Sequence, residues 1–178
     1  IIIYSFLSCF QLYSRSAGSD FFLVWAVNHF NSRGGADRAG NIFSEAYKEK
    51  LSEEMQKKSR DTDDQDLIRA VNARPDMNLC GTPFLYSVFM PLSKMSFTHA
   101  RAFFFVIEVL ALFAGFLILS ALMKVSWFFA FLFIGNIFLF YYPVEMSLSL
   151  GNVNEILVFI SALLFYIQKS KFFYSKIL

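Results

Sequence analysis

Read along the chain, the apolar positions fall into long runs separated by one extended polar stretch. The first run, "IIIYSFLSCFQLY", occupies positions 1–13 and is shorter than the roughly 20 residues that a spanning helix needs. It reads as a truncated first membrane helix, with a signal-peptide core as the alternative. Three further runs, 102–123, 125–142 and 153–168, are long enough, or nearly so, to cross a bilayer. The short "MKVSW" between the first two predicts a helical hairpin, since backbone inside lipid must satisfy its own hydrogen bonds. A spanning barrel would alternate apolar and polar residues, and "FFAFLFIGNIFLF" does not.

The segment 14–100 is of another kind. In it, "FSEAYKEKLSEEMQKK" places Ser44 as a helix cap and sets Glu53 with Lys57 and Glu54 with Lys58 at helical spacing. "LIRAVNARPDMNLCGTP" breaks structure at Pro75, Gly81 and Pro83. "PFLYSVFMPL" then turns apolar again, too short and too Pro-bounded to span, and is expected to lie at the interface or re-enter.

Composition agrees with the pattern. The chain has 178 residues, 56% of them hydrophobic and 19% aromatic, with 24 Phe and a mean hydropathy of +0.48, which is too apolar for an ordinary soluble domain. The net charge of +2 gives no footing for nucleic-acid binding. Cys9 and Cys80 form neither a ligand cluster nor a disulfide framework, and His29 and His99 are too far apart to suggest a metal site. Lys124 follows one span and Lys169, Lys171 and Lys176 follow another, so both ends are expected on the cytoplasmic side. Asp20 and the Gly151-Asn152-Val153-Asn154 turn then share the outer face.

Candidate chemistry is sparse. "DTDDQD" repeats an Asp-x-Asp spacing that can chelate a divalent cation, but a like-charge block of this kind is ordinarily a solvated linker. No P-loop, dinucleotide fingerprint or nucleophile elbow occurs. Glu108 lies within an apolar span and must face protein or a wet cavity, through an interhelical hydrogen bond or a functional role.

Three local patterns, "AGSDF" after the first apolar run, "TPFLYSVFMPLSKMSFTHA" before the second and "YYPVEMSLSLGNVNEIL" at the later turn, resemble the polyprenol-phosphate-dependent mannosyltransferases of glycosyltransferase family 87, in the GT-C superfamily. Gly-Asn-Val-Asn stands where that family typically carries Gly-Gln-x-Asn, a departure at Asn152 that keeps an amide on a shorter side chain. The resemblance implies an all-α, polytopic integral membrane protein with a GT-C-like helical bundle and a long extracytoplasmic first loop carrying interfacial helices. It would divide into a truncated span (1–13), the loop (14–100), spans at 102–123 and 125–142, an outer turn (143–152), a span at 153–168 and a cytoplasmic segment (169–178). Family members have more helices, so the chain reads as the N-terminal part of a longer domain, expected to be inactive alone.

The activity so implied is transfer of a hexose, mannose by the resemblance, from a polyprenyl-phosphate donor to a hydroxyl of a glycolipid or glycan, with inversion. It would take place at the outer face of a bacterial inner membrane, with membrane lipid as a partner and without nucleic acid, metal or cofactor. Asp20 matches the family's catalytic Asp, and an inverting displacement independently needs a base for the acceptor's proton. Arg15, Tyr86, Arg101, Glu145, Asn152, Asn154 and Glu155 are the candidate donor- and acceptor-binding residues. Arg15, Arg33, Arg74, Lys94 and Arg101 are the cations available to a phosphate. A non-enzymatic assembly or transporter subunit is the alternative reading.

Overall fold

The "FFLVWAVNHF" stretch is apolar on every side, and a helix of that kind belongs inside a core. In the computed structural model, which describes residues 11, 13–14, 17–33, 41–79 and 83–174, it forms α1 (Ser19–Ser32), buried at every position from Phe21 to His29. The described residues contain no strand. After α1 come α2 (Glu45–Arg60), α3 (Gln65–Ala73), α4 (Pro83–Phe89), a 3-10 segment (Met90–Lys94), α5 (Phe97–Leu122), α6 (Trp127–Phe140), α7 (Tyr142–Leu150) and α8 (Asn154–Tyr174). The chain divides into two units, one of residues 16–104 and the other of residues 1–15 with 105–178. The apolar run 1–10, Arg15, Cys9 and Cys80 lie outside the described residues.

The first unit holds most of the stretch expected to be a loop, and it has a core of its own. The 3-10 segment, α4, α2 and α3 all pack on α1. Phe21 stacks on Phe104 at 4.4 Å between ring centres, and Phe97 meets Phe22 and Trp25 edge-on at 5.5 and 5.3 Å. Helices α2 and α3 are amphipathic, presenting Tyr47, Leu51 and Met55, and Leu67, Ala70 and Val71, to that core. Ser44 caps α2 by accepting from the Tyr47 amide, and "PFLYSVFMPL" becomes α4 and the 3-10 segment against α1.

The second unit is built on α5, whose 26 residues extend about 39 Å at the helical rise. It is long and apolar enough to cross a membrane, with a mean hydropathy of 2.7 in its most apolar stretch. Helices α6 and α7 together satisfy the same criterion as one path bent by 66°. Where a turn was expected over 143–152, the chain is helical from Tyr142 to Leu150 and ends in a left-handed Gly151. Pro143 opens this helix rather than breaking it, because a proline in the first turn gives up an amide that has no helical acceptor anyway. Leu112, Ile134 and Leu148 bring α5, α6 and α7 to a common core, and Phe113–Phe131 and Phe116–Phe133 ring pairs join α5 to α6.

Helices α5 and α8 run parallel. Gly115 lies so near the α8 backbone that a Cβ there would stand 3.2 Å from Phe159 Cα, and further along both helices Lys169 Nζ donates to the Leu122 carbonyl at 2.9 Å. Glu108 and Glu155 each lie fourteen positions ahead of that last contact. The backbone contact at Gly115 and Phe159, with Glu108 seven positions before it and Glu155 four, offsets them by about 4.5 Å, less than one helical turn.

Candidate functional site

Asp20 sits in the first turn of α1, one residue past its start. The helix is not capped by Asp20, as residue type alone would allow. Its N-cap is Gly18, in the left-handed region at φ 57°, and no side chain caps it. The Asp20 carboxylate instead accepts from Arg74 Nη2 at 2.6 Å, an ion pair across 54 residues of sequence. Both partners stay reachable, with 29% of the Asp20 side chain and 39% of the Arg74 side chain exposed.

Behind this pair lies a second, buried one. Arg101, on the second turn of α5 and 3% exposed, places Nη1 2.9 Å from Asp66 Oδ1. Its side chain fills the space beside Gly18, where a Cβ would meet Arg101 Nε at 3.0 Å. Gly18 is thus required twice, by its backbone angle and by the guanidinium against it. Asp64 completes the cluster. It caps α3 through the Asp66 and Leu67 amides, at 3.1 and 3.0 Å, and accepts from both the hydroxyl and the amide of Thr98. Burial works against ionisation of Asp64, but the hydrogen bonds from Thr98, Leu67 and Asp66 outweigh it and hold its pKa below the ordinary value.

Two residues of "DTDDQD" therefore do structural work that a solvated linker would not. Each finds its partner more than thirty positions away, Asp64 at Thr98 and Asp66 at Arg101. No group of three or more potential metal-ligating His, Cys, Asp or Glu residues gathers among the described residues.

Of the other candidates in this unit, Tyr86 is buried on α4 and its carbonyl accepts from Asn28 Nδ2 at 2.7 Å. Asp20 pairs with Arg74, Arg101 lies against Gly18 two residues before Asp20, and Tyr86 serves α1 further along. In the second unit, Glu145 is exposed on α7, and Asn152 and Asn154 lie at the junction of α7 and α8. The Asn152 amide bonds the Ser147 carbonyl at 3.1 Å and the Asn154 amide reaches the Ser147 hydroxyl at 3.5 Å. Glu155, in the first turn of α8, is buried. Arg15 lies outside the described residues.

Sequence reasoning passed over a polar group at the far end of α1. The His29 ring stacks on Trp25 at 4.5 Å and pairs through Nδ1 with the Ser93 carbonyl at 3.0 Å, while Lys58 Nζ contacts Nε2 and lies over the Trp25 ring. The carbonyl accepts only if Nδ1 carries the proton, so Nε2 is the acceptor for Lys58. Burial lowers the pKa of His29, and the nearby Lys58 and Arg33 charges lower it further against the opposing Ser93 bond. Lys58 is likewise lowered, by burial first and by Arg33 second. A cavity of about 410 Å³ opens beside them, with His29, Phe30 and Arg33 on one side and Lys50, Glu53 and Lys57 on the other.

No protein-family model matches this chain, and neither a curated protein nor a solved structure does.

Proposed function

We propose that the chain is a polytopic integral membrane glycosyltransferase of GT-C type, which moves a hexose from a polyprenyl-phosphate carrier to a hydroxyl of a glycolipid or glycan. The observation that carries this reading is the accessible Asp20–Arg74 pair. Inverting transfer from a sugar phosphate needs a base for the incoming hydroxyl and a cation for the departing phosphate, and the pair supplies one of each side by side. Asp20 is the base; Arg74, bound to it in the free protein, turns to the donor phosphate. The parallel course of α5 and α8 supports the membrane part, since alternate spans of a bundle run the same way. The site then faces the outside of a bacterial inner membrane, with Lys124 and Lys169 in the cytoplasm.

A second reading, of a non-enzymatic membrane subunit, is favoured by the way Asp64, Asp66, Thr98 and Arg101 satisfy one another as a clasp between α3 and α5. Asp20→Asn separates the two. As a base, its replacement lowers sugar transfer by about 100-fold while the thermal midpoint stays near that of the wild type. In a non-enzymatic subunit the folded wild type transfers no sugar, and the same change does no more than weaken the Asp20–Arg74 pair. An unimpaired rate would remove Asp20 from the chemistry.

A further inference from the structure

The second unit buries two carboxyl groups that the proposed reaction does not need at their depth. Glu108 on α5 is 0% exposed, and neither of its oxygens has a hydrogen-bond partner. Glu155 on α8 is 2% exposed; its Oε2 is equally unpartnered, and among the described residues the Ser147 hydroxyl of α7 is the side chain that bonds it. The parallel packing of α5 and α8 sets the two within one helical turn of each other, near enough for their charges to act on each other. The basic side chains described in this unit, Lys124 and Lys169, lie toward the other ends of α5 and α8, about 20 Å along the helices. Glu145, the remaining acid of the unit, is exposed on α7.

A carboxylate without a partner in an apolar interior costs several kcal/mol, and two side by side also repel. Something carrying positive charge must therefore occupy the site, and no side chain among the described residues does so. The occupant has to be small, because the surrounding side chains close over both acids. It has to bind one oxygen closely, because among the described residues only Ser147 is at hand to help complete a coordination shell. A metal cation of ordinary coordination number lacks its ligands here, whereas a proton needs a single oxygen and converts the other carboxyl into its acceptor.

We propose that Glu108 and Glu155 form a proton-binding site between α5 and α8, in which the two carboxyls share one proton and exchange it through the Glu155 end, where Ser147 and the α7–α8 junction lead out. This site is separate from the Asp20 cluster and stands or falls independently of the transferase reading.

Infrared difference spectroscopy of the full chain in lipid nanodiscs, exchanged between light and heavy water at neutral pH, tests it. A carbonyl stretch of a protonated carboxyl is expected in the wild type, absent from Glu108→Gln/Glu155→Gln. It should also vanish in each single variant, because the amide replaces the shared proton as donor to the remaining carboxylate. Circular dichroism confirms that each variant keeps its helices. Three results would each overturn the proposal. One is a wild type without the band, and another is a band that persists in the double variant. The third is a band that appears only when sodium is removed, which would make a metal cation the occupant.

Discussion

The two units bury polar groups in opposite ways. Between Ser16 and Phe104 the charges that leave water do so together: Asp64 with Thr98, Lys58 against His29, and Arg101 with Asp66, whose Nη1–Oδ1 contact is an ion pair at 2.9 Å without hydrogen-bond geometry. Between Phe105 and Leu178 the buried acids Glu108 and Glu155 have oxygens with no partner at all. A buried group with its partners in place defines a geometry, and removing either partner is costly. A buried acid without one contributes nothing to stability while ionised, so its presence points to something it binds.

The sharpest way to break the comparison is to remove one partner in each unit. Asp66→Ala strands the Arg101 guanidinium in the core, and about 3 kcal/mol of stability should go with it. Glu108→Gln takes away an acid with nothing to lose, so its unfolding midpoint should stay level or rise. Chemical denaturation of both variants beside the wild type measures the two. Equal losses would mean that the acids of α5 and α8 are held by contacts like those of the first unit, and the distinction would collapse.

A smaller effect sharpens the first half. Asp64 is both the cap of α3 and the acceptor for Thr98, so Asp64→Ala should cost about 2 kcal/mol, the upper end for a helix cap. Its pH dependence has a definite sign. The folded pKa lies below the ordinary 3.8, so the stabilisation is present above that value and is lost as pH falls through the folded pKa. Acid unfolding of the wild type should therefore be steeper below pH 3.8 than that of Asp64→Ala. Matching acid limbs would show that Asp64 is not held as its bonds indicate.

How much of this could be read from the residues depended on the range of the interaction. Ser44 as a cap and the apolar face of α2 are local patterns, and both stand in the structure. Helix α5 was expected from residue 102 and begins at Phe97, because its polar first turn is held by Asp64 from another helix rather than by its own composition. Pro143 was read as the start of a turn although a first-turn proline is equally a helix start, and local sequence does not separate the two. The acidic run looked like a linker because its partners, Thr98 and Arg101, are distant in sequence. Asp20 and Arg74 were each candidates, yet their pairing is a product of the fold. Glu108 was marked by its setting alone, since an acid inside an apolar run is conspicuous without any knowledge of its neighbours.

The smallest expected effect concerns His29, where the first unit comes nearest to the behaviour of the second. Its ring is bonded at both nitrogens, yet one of the partners is a cation, Lys58, so a proton on Nε2 would have nowhere to point. Burial and the neighbouring charges hold the folded pKa below 6.5, so the unfolded chain takes up this proton first as the pH falls. Stability is then level above 6.5 and declines below it until the folded pKa is passed. Thermal midpoints between about pH 5 and 7.5, compared with those of His29→Gln, isolate this decline from that of the carboxylates, which titrate lower. The wild type should lose midpoint across this window and the variant should not. Parallel profiles would mean that the Lys58 contact opens to let His29 protonate freely, and that this end of α1 is less firmly closed than the Trp25 stack and the Ser93 bond make it.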